Sequence, residues 1–273
     1  MKRVLSLTLL SLFLSSCASL PFAEEKIEIE RNLYTNLPGS SGKVFAVKFD
    51  DTSAAHPQDG VESADIVYIT EVEAGFTRLM GIYSSNYPEV LGPIRSARIS
   101  DLSILGEYGK VGYLYSGAQS KMRPVISAAN LVNLSAERNP PSIYFNEPSR
   151  RSPYSMMVRP NLLLEKAGDV ELAKEPGWQH GARAEDAKKI ISAEIEWANA
   201  SYEAAWSVEE KRFLLKHNGK ANIASSGIQL GSPMMVIQMV KISPSEYGDK
   251  FGGVTPKSEV IGSGHGYLLR NQR

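Results

Sequence analysis

Between residues 44 and 115, short runs rich in apolar, β-branched and aromatic residues are separated by polar and turn-forming ones, a pattern that predicts strands. Residues 44–49, Val-Phe-Ala-Val-Lys-Phe, form the first, stopped by the acidic pair Asp50-Asp51. Residues 65–73 are rich in β-branched and aromatic side chains and form the second. Gly75 breaks that run, and residues 77–83 return as the second arm of a hairpin. Residues 111–115 are a fourth strand, ending at Ser116-Gly117.

Helical spacing appears between and after these strands. Ser100 is positioned to cap a helix carrying Leu102, Ile104 and Leu105, with Asp101 favourably placed in its first turn. Residues 123–131 are a second candidate. Residues 161–167 are a third, closed by Gly168 as a left-handed cap. Hairpin strands with interspersed helices imply an α+β fold with a mixed sheet.

Beyond the loop-rich stretch 168–193 the pattern turns to β. Ile195 and Trp197, residues 202–206 and residues 212–216 read as strands, and Asn218-Gly219 is a strong two-residue hairpin signal. Residues 234–240, Met-Met-Val-Ile-Gln-Met-Val, are a further apolar strand. Residues 267–270 read as a strand entering a turn, with nothing after them to pair, so a missing C-terminal segment is expected.

The first residues follow a different logic. Lys2 and Arg3 precede an apolar run over residues 4–14, too short for the ~20 residues of a membrane-spanning helix. A basic start and a short apolar stretch have the form of a secretory signal. The run ends in Leu14-Ser15-Ser16-Cys17, similar to a bacterial lipobox. There the cysteine thiol carries a diacylglycerol and becomes the mature N-terminus. Cys17 is the chain's one cysteine, which excludes an intramolecular disulfide framework and Cys-x-x-Cys zinc clusters. The expected organisation is a signal peptide at 1–16 and a flexible tether at 17–42. An N-terminal α+β domain at 43–183 and an incomplete, mostly β domain at 194–273 follow. Two acyl chains hold a soluble body on the extracytoplasmic face of the cell membrane without a spanning helix.

Composition narrows the partners. Thirty Lys+Arg balance thirty Asp+Glu, so no long-range field draws the chain to nucleic acid. The four histidines, His56, His180, His217 and His265, are dispersed and match no metal-ligand spacing, so no metal site and no cofactor is expected. Ser116 lacks the Gly-x-Ser-x-Gly elbow of a hydrolase nucleophile. The glycine run at 262–266 lacks the Lys-Ser/Thr of a P-loop and reads as a turn.

Two charged clusters remain. In an extended strand Val67, Ile69, Glu71 and Glu73 share one face, with Arg78 across the hairpin. The carboxylates suit general acid–base work or a plain surface ion pair. Arg95 and Arg98 lie three apart in the small-residue segment Gly92-Pro93-Ile94-Arg95-Ser96-Ala97-Arg98. They suit either an anionic ligand or internal pairing with Glu71 and Glu73.

Several strings together resemble the YerB-like bacterial lipoproteins: Ala55-His56-Pro57-Gln58-Asp59-Gly60, Ala64-Asp65-Ile66-Val67-Tyr68, Glu71-Val72-Glu73-Ala74-Gly75-Phe76-Thr77-Arg78 and the Gly92 to Arg98 segment. The resemblance runs from about Val44 onward. It implies an α+β layered sandwich and an envelope lipoprotein, with no established reaction. His56 replaces the arginine more common there, Asp51 replaces asparagine, and Tyr115 stands in the place of a histidine. Members of the family continue for tens of residues past the glycine string, in line with the expected shortening.

The resulting expectation is an extracytoplasmic binding module whose ligand site draws on Glu71, Glu73, Arg78, Arg95, Arg98 and Asp101, anchored through Cys17. Its partner would be an envelope protein or cell-wall ligand. The alternatives are an envelope hydrolase using Glu71 or Glu73 as acid/base, and a structural partner-binding protein in which the charges are internal scaffolding.

Overall fold

The computed structural model describes residues 29–178, 181–182, 185–249 and 252–272. The signal, Cys17, the start of the expected tether and His180 lie outside the described residues. Strand β1 (Phe45–Asp50) is buried along its entire length, which is why its sequence is nearly continuous in apolar residues. It is the middle strand of a five-stranded sheet. Beside it run β2 (Ile66–Glu71), β3 (Thr77–Tyr83), β4 (Val111–Leu114) and β5 (Leu131–Asn133), in the order β2-β3-β1-β4-β5. The β2-β3-β1 half is antiparallel, and β4 and β5 run parallel to β1. The sheet is mixed, and the fold class is α+β.

Alternation along β1 feeds two cores. Phe45, Val47 and Phe49 face one side with Leu79, Tyr83 and Leu114. Val44 and Ala46 face the other, against Met80, Ile82 and Tyr113. Helices α1 (Ile99–Leu105) and α2 (Arg123–Ala128) cover the second side with Ile104, Leu105 and Ile126. The first side is covered by Leu91, Ile94 and the small hairpin β6 (Tyr144–Asn146) and β7 (Met156–Val158), and by Tyr202 and Leu230 from the later chain. Each fully buried phenylalanine contributes about 1.5–3 kcal/mol relative to exposure. Gly112 of β4 is needed for this packing, because a Cβ there would lie 2.8 Å from the Phe45 ring.

The later chain is β, as its pattern predicts. Strands β8 (Ser192–Trp197), β9 (Ala200–Ser207), β10 (Arg212–His217), β11 (Lys220–Ala221) and β12 (Gly231–Ser232) form a second sheet. Asn218 and Gly219 both take positive φ and close the β10–β11 hairpin. Beyond this sheet lie two ribbons. One pairs β13 (Met234–Met239) with β16 (His265–Arg270), and the other pairs β14 (Ile242–Gly248) with β15 (Val254–Ser258).

The structure corrects several local expectations. Strand β16 pairs antiparallel with β13, upstream in the chain. The β14–β15 ribbon has no clear signature because Pro244 and Pro256 face each other within it. Helix α1 is capped by Asp101, whose carboxylate accepts from the Arg98 amide at 2.6 Å. Ser100 lies inside the helix, and its hydroxyl accepts from the Ser258 amide of β15. Residues 161–167 make one 3-10 turn, Pro160–Leu163, because a single turn fixes too many dihedrals for the bonds it gains. Gly168 is not left-handed. Within the expected tether, Asn32 and Tyr34 are buried on the body, Asn32 donating to Ser84 Oγ at 3.0 Å. Among the described residues no helix is long and apolar enough to cross a membrane.

Candidate functional site

The polar interior collects at one end of the five-stranded sheet, where parallel β1 and β4 present their carboxyl ends. Open sheets place ligands at such ends. The segment from Gly92 to Arg98 crosses there, held by Arg95 N donating to Lys48 O, Ser116 N to Arg95 O and Ala97 N to Gly117 O. It hangs Arg95 and Arg98 over the start of β3, where Arg78 lies opposite Asp50.

Glu73 and Glu71 part company at this end. Strand β2 stops at Glu71 and the chain turns through Ala74 and Gly75, both at positive φ. Gly75 is required there, since its Cβ would lie 2.6 Å from Ala198 while its carbonyl accepts from the Asn199 amide. The shared face expected for the two glutamates is thereby lost. Glu73 turns inward and accepts from Arg98 Nε at 2.9 Å and Nη2 at 2.6 Å, and from the Thr255 hydroxyl. Burial pushes its carboxyl up, but Arg98 and Thr255 outweigh burial and hold it below the ordinary range. A carboxylate held ionised in this way is a poor general acid. Glu71 is half-buried, desolvation raises its pKa, and no ion pair forms on it among the described residues.

The arginines differ in their partners. Arg98 is neutralised by Glu73. Arg95 Nε lies 2.5 Å from Asp50 Oδ2, an ion contact without hydrogen-bond alignment, and its guanidinium sits 5.8 Å from the Tyr154 ring centroid. Arg78 is 8% exposed and donates to the Ser96 carbonyl at 2.7 Å, with no carboxylate paired to it among the described residues. Burial and the nearby Arg98 and Arg95 charges push its pKa down to about 9, so it stays cationic at neutral pH. Asp101 lies deeper, bonded to Lys48 Nζ at 2.6 Å and to the Tyr113 hydroxyl at 2.6 Å. The six predicted residues therefore share one end of the sheet, but Asp101 is scaffold-like in its burial and Glu71 stands apart.

A second cluster adjoins the first and escaped the sequence reading. Asp51, fully buried, accepts from the Tyr202 hydroxyl, from the Thr77 hydroxyl at 2.6 Å and from the Gln58 amide at 3.3 Å. His56 Nε2 lies 3.2 Å from Asp51 Oδ1, and His217 Nε2 lies 3.9 Å from Oδ2. The two imidazoles stack with centroids 4.7 Å apart. Two clefts meet at His56. One of about 390 Å³ runs along Ile223 and Ser225, and one of about 590 Å³ runs along Arg150, Arg151 and Tyr154. Acidic Asp51 directly after a buried strand was the one available signal; the histidines carry no spacing that links them.

Residues 34–173, half of the chain, match the family model described as protein of unknown function DUF3048, N-terminal domain. The chain belongs to this family. A 53-residue segment is 43% identical to a protein named "Putative lipoprotein YerB" from Bacillus subtilis (strain 168), spanning 19% of this chain and 16% of that relative's length. The crystal structure of the YerB protein from Bacillus subtilis superposes with a TM-score of 0.73 at 17% identity, over 89% of this chain and 84% of that one. That likeness establishes the shared fold. All six predicted site residues and Asp51 and His56 fall inside the DUF3048 match, whereas Tyr202 and His217 come from outside it.

Proposed function

We propose that this DUF3048 protein is an extracytoplasmic lipoprotein, anchored to the membrane by a diacylglyceryl group on Cys17, that binds an anionic ligand of the cell envelope at the carboxyl end of its mixed sheet. The anchor reading rests on the lipobox-like Leu14-Ser15-Ser16-Cys17 and on the name carried by the Bacillus relative. The ligand reading rests on Arg78. Lys48, Arg78, Arg95 and Arg98 face the carboxylates of Asp50, Glu73 and Asp101, which leaves one buried guanidinium satisfied by a carbonyl alone. A carboxylate or phosphate in the cleft lined by Arg150, exposed Arg151 and Tyr154, whose ring centroid lies 5.8 Å from the Arg95 guanidinium, would balance that excess. Of the two carboxylates the hydrolase reading names, Glu73 is committed to Arg98.

Two measurements test the proposal. Metabolic labelling with a fatty-acid probe marks the wild type and not Cys17→Ser; an unmarked wild type overturns the anchor. Titration with inorganic phosphate and with acetate, read by thermal shift, stabilises the wild type and not Arg95→Gln. Equal shifts in both proteins, or none in the wild type, overturn the anion site.

A further inference from the structure

Asp51, His56 and His217 each offer a donor atom, and the three atoms lie within 4.8 Å of one another. We propose that they form a binding site for a divalent first-row transition ion such as Zn2+, bordering the cleft proposed for the anion.

The first argument is an orphan atom. His217 is 6% exposed, and its Nε2 has no hydrogen-bond partner although it faces the carboxylate of Asp51 from 3.9 Å. A buried ring nitrogen without a partner forfeits the energy of a lost hydrogen bond. Burial also favours the neutral imidazole over the charged one, more than Asp51 opposes it, and the neutral ring is the form that ligates metal.

The second argument is a conflict at His56. Its Nε2 lies 3.2 Å from a carboxylate oxygen of Asp51 and 3.4 Å from the amide nitrogen of Gln58. As an N–H it suits Asp51 and meets the Gln58 donor; as a lone pair it suits Gln58 and meets the carboxylate. A cation between the three donors satisfies lone pairs on both histidines and the charge on Asp51 together. Ligand atoms about 2.0–2.2 Å from a tetrahedral zinc stand about 3.3–3.6 Å apart. The separations of 3.2 and 3.9 Å, to the two oxygens of Asp51, approach that spacing, and the whole donor set lies within 4.8 Å.

The surroundings fit a prepared site. The Tyr202 and Thr77 hydroxyls donate to the Asp51 carboxylate and fix its orientation. Arg150 donates to the carbonyls of Ala55 and Pro57 and to Asp59, and Ser225 N donates to Gln58 O, so the loop bearing His56 is clamped from two sides. His56 is 17% exposed and lines both clefts, which gives the ion an entry path and an open coordination position. Borderline-soft ions prefer nitrogen donors of this kind, whereas Mg2+ and Ca2+ prefer oxygen.

The test uses the full chain with Zn2+, in competition with a chromogenic chelator. The wild type is expected to hold one Zn2+ per chain and to gain thermal stability from it. His56→Ala and His217→Gln should each weaken binding by at least about 100-fold, the upper end of what loss of an outer partner costs. His265→Ala, at an exposed position remote in sequence, should bind as the wild type does. His56→Ala alters a part-exposed loop residue and decides the matter if His217→Gln fails to fold. Absence of a retained equivalent, or equal affinity in His56→Ala and the wild type, overturns the site.

Discussion

The Tyr202 hydroxyl lies 2.8 Å from both carboxylate oxygens of Asp51, a contact that joins strand β9 to the end of β1 across 151 residues of chain. Burial and the Asp51 charge push the Tyr202 pKa far up, so the phenol remains a donor. Tyr202→Phe removes that donor and leaves a buried carboxylate short of one bond. The expected loss is about 1–3 kcal/mol of stability in urea unfolding. A change within error would mean that Thr77 and Gln58 suffice.

The pair Lys48–Asp101 has both side chains fully buried. Burial lowers the Lys48 pKa and Asp101 opposes that drop. Asp101→Asn leaves burial unopposed and is expected to cost about 3–5 kcal/mol. Adding Lys48→Met should restore part of it, because a neutral core no longer strands a charge. A double mutant less stable than Asp101→Asn would refute this.

Glu73 predicts an acid-side pH dependence. Its folded pKa lies below the ordinary value of 4.5, so its contribution is complete above that value and fades as pH falls through the lower folded pKa. Arg98, Thr255 and the nearby Arg78 are the groups that face it. Unfolding measured from pH 6 downward should show a shallower acid loss in Glu73→Gln than in the wild type. Parallel curves would exclude Glu73 as a source.

The β13–β16 ribbon predicts self-association. Val236 and Leu268 face each other across it at 69% and 56% exposure, and neither outer edge of this two-stranded sheet is paired among the described residues. Open apolar edges template further strands. Val236→Lys should reduce aggregation seen by light scattering while changing stability by no more than about 0.5 kcal/mol. Unchanged scattering would count against the edge as its source.

Local pattern determined much of this molecule. Apolar, β-branched and aromatic runs bounded by turn residues are a property of a few consecutive positions, so β1, β3, β4 and the β8–β10 run were legible, as was the Asn218-Gly219 turn. The lipobox-like segment is equally local, and the proposed anchor rests on it. The arginines of the Gly92 to Arg98 segment were recognisable as a unit because they are neighbours in sequence. Their partners were not: Arg95 met Asp50, and Glu73 left the face of Glu71 because β2 ended two residues early. The meeting of Asp51 and His56 with His217 and Tyr202 was decided by tertiary structure alone. Sequence periodicity carries no record of contacts between distant strands, and only packing the second sheet against the end of the first brings those four side chains together.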